Sequence, residues 1–354
     1  MSERVIYVVI GCDTDPDRAT FNPDAARATT LIWRGLTEGI PRARKAVESI
    51  RDADGKPPVF TWCLRADHQV KTAHGSYAYV METFAEQLIE LERGGDELAW
   101  HPHFWNHDSA HGGWYQEYRD VNWQIDMLRG AFDACERTLP GRFRSARLGW
   151  TYHNNTTFAE LEKLGIQVEF SALPGHRIDP GRRAGPNANF FDWSITPNHP
   201  YYAAAADYRR PARDGEPART MLEAPVFVSR SRAWSLFRGA VLARKMKAAG
   251  QLLLALRHPS YFITITGRPA LFAPVQNEAR LVLKRSDTVF LVTYFHPDEL
   301  LETGNTVYSL EHLVQNLKNL IDLAERESAS LRFVRACDLP ALLQKSAPSA
   351  SDSL

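Results

Sequence analysis

Residues 5–17 read VIYVVIGCDTDPD. The apolar run from Val5 to Ile10 has no polar interruption, which is the pattern of a strand buried on both faces, as in a parallel sheet. It ends in a glycine and then three aspartates around a proline. On an extended segment, residues two apart face the same side, so Asp13 and Asp15 can point together into one site. An Asp-rich stretch with proline is also a common turn former, and taken alone these residues admit both readings.

Working outward, the same alternation repeats. A helix is expected near residues 40–52, a second strand at PVFTWCL (58–64) and an amphipathic helix over 79–95, closed by glycine. DELAWHP forms a third strand, followed by a helix over 121–139. RFRSARLG (142–149) is strand-like, residues 156–166 are helical and VEFSAL (168–173) is a strand. Near the end come the strand TVFLVTYFHP (288–297), the helix 309–327 and the strand LRFVRAC (331–337). Strand–helix alternation implies a parallel sheet with functional loops at the C-terminal ends of its strands. The polar clusters CDTDPD, HPHFWNHD, RLGWTYHNN and FHPDE all fall at such ends. The expectation is an α/β fold, a distorted parallel (β/α) barrel of about seven strands, forming one domain over residues 1–345. Residues 174–220 are rich in Gly, Pro, Arg and Asn and read as a long loop-rich insertion. Residues 346–354 read as a disordered tail.

Composition narrows the class. The chain has 354 residues, 44% hydrophobic and 24% charged, and its 42 Lys and Arg balance 42 Asp and Glu. No global charge steers it toward nucleic acid. MSERVIYVVIGCD is unlike a signal peptide, and no apolar run approaches the ~20 residues of a membrane span. The four cysteines (Cys12, Cys63, Cys135, Cys337) are widely spaced, so unpaired thiols and a cytoplasmic location are expected. Cys12 lies beside the aspartates but reads as a small strand residue rather than a nucleophile.

The densest cluster is AWHPHFWNHD (99–108), with histidines at 101, 103 and 107. At a helix start, His103 and His107 would share one face and suit two ligands of a tetrahedral zinc, with Asp15 as the third and water in the open position. His101 is the rival ligand, since His101 and His103 share a face if the strand continues. His111 reads as solvated.

HFWNH resembles the His-x-Trp-x-His metal motif of polysaccharide deacetylases of the nodulation-protein type, carbohydrate esterase family 4. CDTDPD is similar to the family's aspartate pair after the first strand. By that match Asp13 is the base and Asp15 a metal ligand. Arg147 and Asn154 match the family's third motif counted back from LEKLGI, LEAPV (222–226) resembles a Glu-x-Pro-Val strand, and His296 in VTYFHPDEL matches the late-strand histidine. The motifs run in order across residues 5–340. Two features depart from the family pattern. ELAW is followed at once by His101, two residues before the preferred match, and Arg147 is followed by LGW where prolines are usual.

The resemblance implies hydrolysis of an N-acyl, most simply N-acetyl, group on an amino sugar. A bound Zn²⁺ would polarise the carbonyl and lower the pKa of its water toward ~7. Asp13 would take the water's proton, Arg147 would orient Asp13 and His296 would protonate the leaving amine, with His153 as the fallback acid. Trp150, Tyr201, Tyr202, Asp207 and Arg209 are candidate substrate contacts, with Trp193, Tyr208 and Arg210 beside them. The aromatics of this segment serve equally well as loop packing. Between Glu223 and Glu278 there is no acidic residue but eight Lys and Arg, interleaved with Trp234, Phe237 and LLLAL (252–256). That pattern suits either an inward-packed helix or peripheral contact with an anionic membrane through 229–258, at the inner membrane surface. A glycan precursor, free or lipid-linked, or a small glycoside fits as substrate. The rivals are a formamide or cyclic-amide hydrolase on the same site, a glycosidase pairing Asp13 with an acid near Glu223 or Glu299, and a binding module.

Overall fold

The computed structural model describes residues 3–17, 31–108, 113–178, 189–246, 250–301 and 306–346. His111, residues 179–188 of the insertion and the tail from 347 lie outside the described residues. The early strands are β1 (Val5–Thr14), β2 (Thr61–Arg65), β3 (Glu97–His101), β4 (Trp105–Asp108) and β5 (Gly113–Gln116). Then come β6 (Ser145–Ala146), β7 (Val168–Glu169), β8 (Arg177–Ile178), β9 (Phe191–Asp192) and β10 (Tyr201–Ala204). β11 (Asp207–Pro211), β12 (Ala218–Glu223), β13 (Thr288–Phe295) and β14 (Ser330–Val334) complete the set. The helices are α1 (Ile40–Val47), α2 (His68–His74), α3 (Tyr79–Thr83), α4 (Ala85–Arg93), α5 (Val121–Thr138) and α6 (Asn155–Lys163). They continue with α7 (Arg232–Met246), α8 (Gly250–Arg257), α9 (Pro269–Leu283), α10 (Leu310–Arg326) and α11 (Leu339–Ser346).

Seven strands run parallel in the order β12-β7-β6-β3-β2-β1-β13. The wall curls on itself, because Val226, just past β12, bridges to Val292 of β13, and Phe227 N–H donates to the Val292 carbonyl at 2.8 Å. This is the distorted (β/α) barrel. β14 adds to the first half of β1, whose second half takes β2. All ten residues of β1 are buried, as a parallel strand covered on both sides requires. Its side chains alternate. Val5, Tyr7 and Val9 pack in the barrel interior with Ala99, Phe170, Leu222 and Val292, while Ile6, Val8, Ile10 and Cys12 pack against the helical layer.

Four expectations change. The insertion is not structureless: β10 and β11 extend the sheet antiparallel from β12, with β8–β9 a further short hairpin. The helix expected over 79–95 is broken at Phe84 into α3 and α4. Residues 103–107 do not begin a helix. They lead into β4, which pairs antiparallel with β5. Ser346 closes α11 rather than opening the tail.

Candidate active site

Strand register brings the polar clusters together. Cys12 pairs with Phe295, so Asp13 and His296 emerge side by side. Asp13 is level with Cys63, Arg65 with His101, and Trp100 with Ala146, so Arg65, His101 and Arg147 follow at the same end. By the period-two alternation, Asp13, Arg65, His101 and His296 continue the interior face of their strands.

Asp15 Oδ1 lies 3.2 Å from His103 Nε2 and 3.6 Å from His101 Nε2, and the two Nε2 atoms are 3.0 Å apart. Asp15, His101 and His103 each offer a ligand atom within 4.8 Å of the others. The tautomer of His101 follows from its neighbour. Its Nδ1–H donates to the Arg147 carbonyl at 2.5 Å, which leaves the Nε2 lone pair facing Asp15. His103 Nδ1 is buried without a hydrogen-bond partner. Burial and the Arg65 charge push this imidazole down to about 4, so it is a neutral donor, whereas at His101 burial is outweighed by the carboxylates of Asp13 and Asp15, which push the imidazole up. Two convergent imidazole nitrogens and a carboxylate oxygen are a donor set suited to a divalent zinc-like ion with open positions.

Gly149 is what lets His103 in. A Cβ at position 149 would fall 1.9 Å from His103 Cδ2, and Gly149 N–H bonds the Pro102 carbonyl at 2.9 Å. The glycine of Leu-Gly-Trp is therefore a steric requirement for seating His103. Trp150 follows in the left-handed region at φ 56°.

His107, expected as a ligand, stands elsewhere. It sits exposed on β4 with its ring 5.2 Å from that of Trp114, outside the Asp15–His101–His103 group. His101 takes its place, because the residue before a proline is held extended and the two-residue spacing of a strand replaces the four-residue spacing of a helix.

Asp13 is buried and held by Arg147, whose Nε lies 2.8 Å from Oδ1 and 3.0 Å from Oδ2. Arg147 Nη1 donates to the Phe170 carbonyl at 2.6 Å, and the guanidinium lies 3.8 Å from the centre of the Tyr294 ring. Burial resists ionisation of Asp13, but Arg147, His101 and His296 outweigh it and hold the carboxyl below its ordinary range. Asp15 is held well below that range, with His103 and Arg65 overcoming burial. From the other side, His296 Nε2 approaches Asp13 Oδ2 at 3.9 Å and Asp15 Oδ2 at 3.7 Å. Its Nδ1 lies 3.1 Å from Glu299 Oε1, and Glu299 Oε2 accepts a hydrogen bond from Thr266.

Several residues of the site carry no motif signal. Buried Arg65 ion-pairs with both Asp15 and Asp67 and donates to Gln69 Oε1 at 2.8 Å. Asp67 in turn caps α2, accepting from Gln69 N–H at 2.9 Å and Val70 N–H at 3.1 Å, and accepts the His103 N–H at 3.0 Å. Asp67 is thus both the side-chain N-cap of α2 and the acceptor that seats the His103 backbone. The cluster floors a cavity of ≈ 360 Å³ whose walls include Trp150, Leu173, Phe191, Phe262, Tyr294 and Arg238.

Of the candidate substrate contacts, Trp150 lines this cavity. Tyr201, Tyr202, Asp207 and Arg209 do not. Tyr201 is buried with its hydroxyl donating to the Tyr208 carbonyl at 2.9 Å, and Tyr202 is half-buried on β10, paired with Leu222. Arg209 ties Asp207 (2.9 Å) to Asp192 (2.7 Å). They are spent on building the sheet extension. Trp193, fully buried, donates to the Thr151 carbonyl at 2.6 Å. Asn154 caps α6, and His153 is buried 3.4 Å from Glu169 rather than in the cavity wall. The Cys12 thiol is pushed well up by burial, and all four cysteines are free.

No family model matches the sequence, and a comparison with curated proteins finds no match. Solved structures do match. A protein of Parabacteroides distasonis, provisionally described as a glycoside hydrolase/deacetylase, superposes with a TM-score of 0.54 at 14% identity, over 99% of this chain and 73% of that one. The chain shares its fold. A protein of Mycobacterium smegmatis, provisionally described as a polysaccharide deacetylase, matches over 98% of this chain and 93% of that one, at 14% identity and a TM-score of 0.49.

Proposed function

We infer that the protein is a metal-dependent amide hydrolase that removes an acyl group from an N-acylated amino sugar. The observation that carries this reading is the pairing of a three-donor cluster, Asp15, His101 and His103, with a separate ionised carboxylate, Asp13, and an imidazole opposite, His296. The fold shared with a described glycoside hydrolase/deacetylase supports it. A divalent ion bound by Asp15, His101 and His103 would supply Lewis-acid polarisation of the substrate carbonyl. Asp13, not among those three, takes the proton of the attacking water, and Arg147 fixes its orientation through the Nε contact. His296 gives its Nε2 proton to the departing amine, while Glu299 holds Nδ1 and so fixes which nitrogen faces the reaction. Trp150 offers an aromatic face for a sugar ring at the cavity wall.

The glycosidase alternative needs a second free carboxylate. Glu223 is absent from the cavity lining, and Glu299 is committed to His296 and Thr266. The motif resemblance favours acetyl as the acyl group, and a formamide or cyclic amide would use the same groups.

The test is to incubate zinc-loaded protein with N-acetylated chitooligosaccharides and follow acetate and free amine. Acetate release that stops on chelation and returns with added Zn²⁺ is expected. Cleavage of glycosidic bonds without acetate release, or turnover indifferent to chelator, overturns the reading.

A further inference from the structure

The helical hairpin α7–α8 leaves the barrel wall through a bridge between Ser229 and Tyr261. It is built with its small residues inward. Gly239 packs against Ala255 so closely that a Cβ would lie 2.9 Å from the alanine's, and Ser235 Oγ donates to the Ala255 carbonyl at 3.1 Å. Ser235 and Gly239 are four residues apart and so share the inner face of α7. The large apolar residues are left outward. Phe237 is 57% exposed, Val241 50%, Leu253 50% and Leu256 56%, with Leu252 also exposed. These five make up most of the exposed large hydrophobic side chains among the described residues, gathered on two adjacent helices. A patch of this kind on an otherwise well-packed chain marks an interaction surface.

The charge of the hairpin selects its partner. Residues 232–257 hold six Lys and Arg and no acid. Arg232, Arg244 and Arg257 are exposed, and none has a carboxylate partner among the described residues. A second copy docking by the same face would bring these like charges together. No described helix is long and apolar enough to cross a membrane. Apolar side chains flanked by cations, on helices too short to span, are the composition of an element lying in a bilayer interface.

We propose that α7–α8 docks the protein peripherally on an anionic phospholipid bilayer, with Phe237, Val241, Leu252, Leu253 and Leu256 in the acyl boundary and the arginines on the headgroups. The surface is continuous with the active site. A second cavity of ≈ 330 Å³ is lined by Phe237 and Val241 at the hairpin and by Tyr294 and His296 at the catalytic end. Arg238 lines both cavities, with its guanidinium 3.8 Å from the Phe262 ring centre and no carboxylate partner among the described residues. A substrate carried on a phospholipid-like anchor would therefore reach His296 without leaving the interface. That consequence rests on the hydrolase reading, whereas the docking does not.

The test is sedimentation of the full chain with vesicles of phosphatidylcholine alone and of phosphatidylcholine with phosphatidylglycerol. Binding to the anionic vesicles, weakened by salt and absent on the neutral ones, is expected. Leu253→Glu/Leu256→Glu and Arg232→Gln/Arg244→Gln/Arg257→Gln should each weaken binding roughly tenfold or more. Both should melt within a few degrees of the parent, as the positions are exposed. The proposal is overturned if the parent does not sediment with anionic vesicles, or if both folded variants bind as the parent does. It is also overturned if light scattering shows a dimer that Leu253→Glu/Leu256→Glu dissociates while vesicles are ignored. Each outcome is read without an activity assay, so failure of the docking and failure of the hydrolase reading are separate.

Discussion

The barrel wall carries two buried carboxylate–histidine clusters on its opposite faces, and they behave oppositely. On the interior face, Asp13 and Asp15 stand with His101, His103 and His296, and Arg147 and Arg65 reach into the group. On the helix side, Glu169 on β7 and Glu223 on β12 stand with His153, and no arginine makes an ion pair with them among the described residues. Burial penalises every one of these carboxylates. With two guanidiniums in contact, both aspartates are held below their ordinary range. Without them, one glutamate gives way. Burial and the charge of Glu169 push Glu223 well up, while His153 holds Glu169 down against its own burial. The first arrangement leaves two charged oxygens facing a cavity, ready for an ion and a proton. The second leaves two carboxyls pushed in opposite directions and locked into the wall, with Glu169 accepting the Ser171 N–H at 3.0 Å and Glu223 the Ala172 N–H at 3.2 Å. Cations at the strand ends, more than carboxylate count, separate a reactive cluster from a structural one.

Substitutions on the two faces sharpen this contrast. Asp13→Asn should cost at least ~10²-fold in turnover while fold and bound metal are retained, measured by steady-state kinetics beside a thermal melt. Loss of metal in that variant would make Asp13 a ligand. His296→Ala should lose roughly as much on an amide substrate but clearly less on an activated ester, whose leaving group needs no proton. Equal losses on both would give His296 a positioning role. Glu169→Gln removes the buried carboxylate that accepts the Ser171 N–H and lies 3.4 Å from His153 Nε2, and should destabilise the fold by about 1–3 kcal/mol with turnover nearly unchanged. Glu223→Gln replaces a carboxyl that burial and Glu169 push toward its neutral form by an amide of the same shape, and should change stability by less than about 1 kcal/mol, read by denaturant unfolding. A large kinetic effect from either glutamate would erase the distinction between the faces.

Much of the interior face was legible in the sequence, because it depends on local pattern. The apolar run of β1 marks a doubly buried strand, and period-two alternation carries Asp13 to the side of Val9, while Asp15 lies one residue past the strand, where its N–H turns back on the Asp13 carbonyl at 2.7 Å. The late strand ending in His296 follows the same rule. His107 was misread because a four-residue histidine spacing is a helical signal only where a helix forms. Pro102 holds the chain extended after His101, and β4 pairs with β5 instead. Tyr201, Tyr202, Asp207 and Arg209 resembled a binding loop because polar, aromatic-rich segments look alike whether they meet a ligand or each other. What assigns them is their pairing within the sheet extension. Arg65, Asp67, Gly149, Tyr294 and Arg238 were silent because their roles depend on partners far away in sequence, such as His103 lying against the Gly149 backbone.

The central claim is that Asp15, His101 and His103, rather than the pair His103 and His107, hold one divalent ion. Metal content should be measured on the purified parent, His101→Ala and His107→Ala after identical loading with Zn²⁺ and desalting. The expected result is about one ion per chain in the parent and in His107→Ala, with most of it lost from His101→Ala. Retention by His101→Ala with loss from His107→Ala, or a parent that holds no metal, would contradict the account.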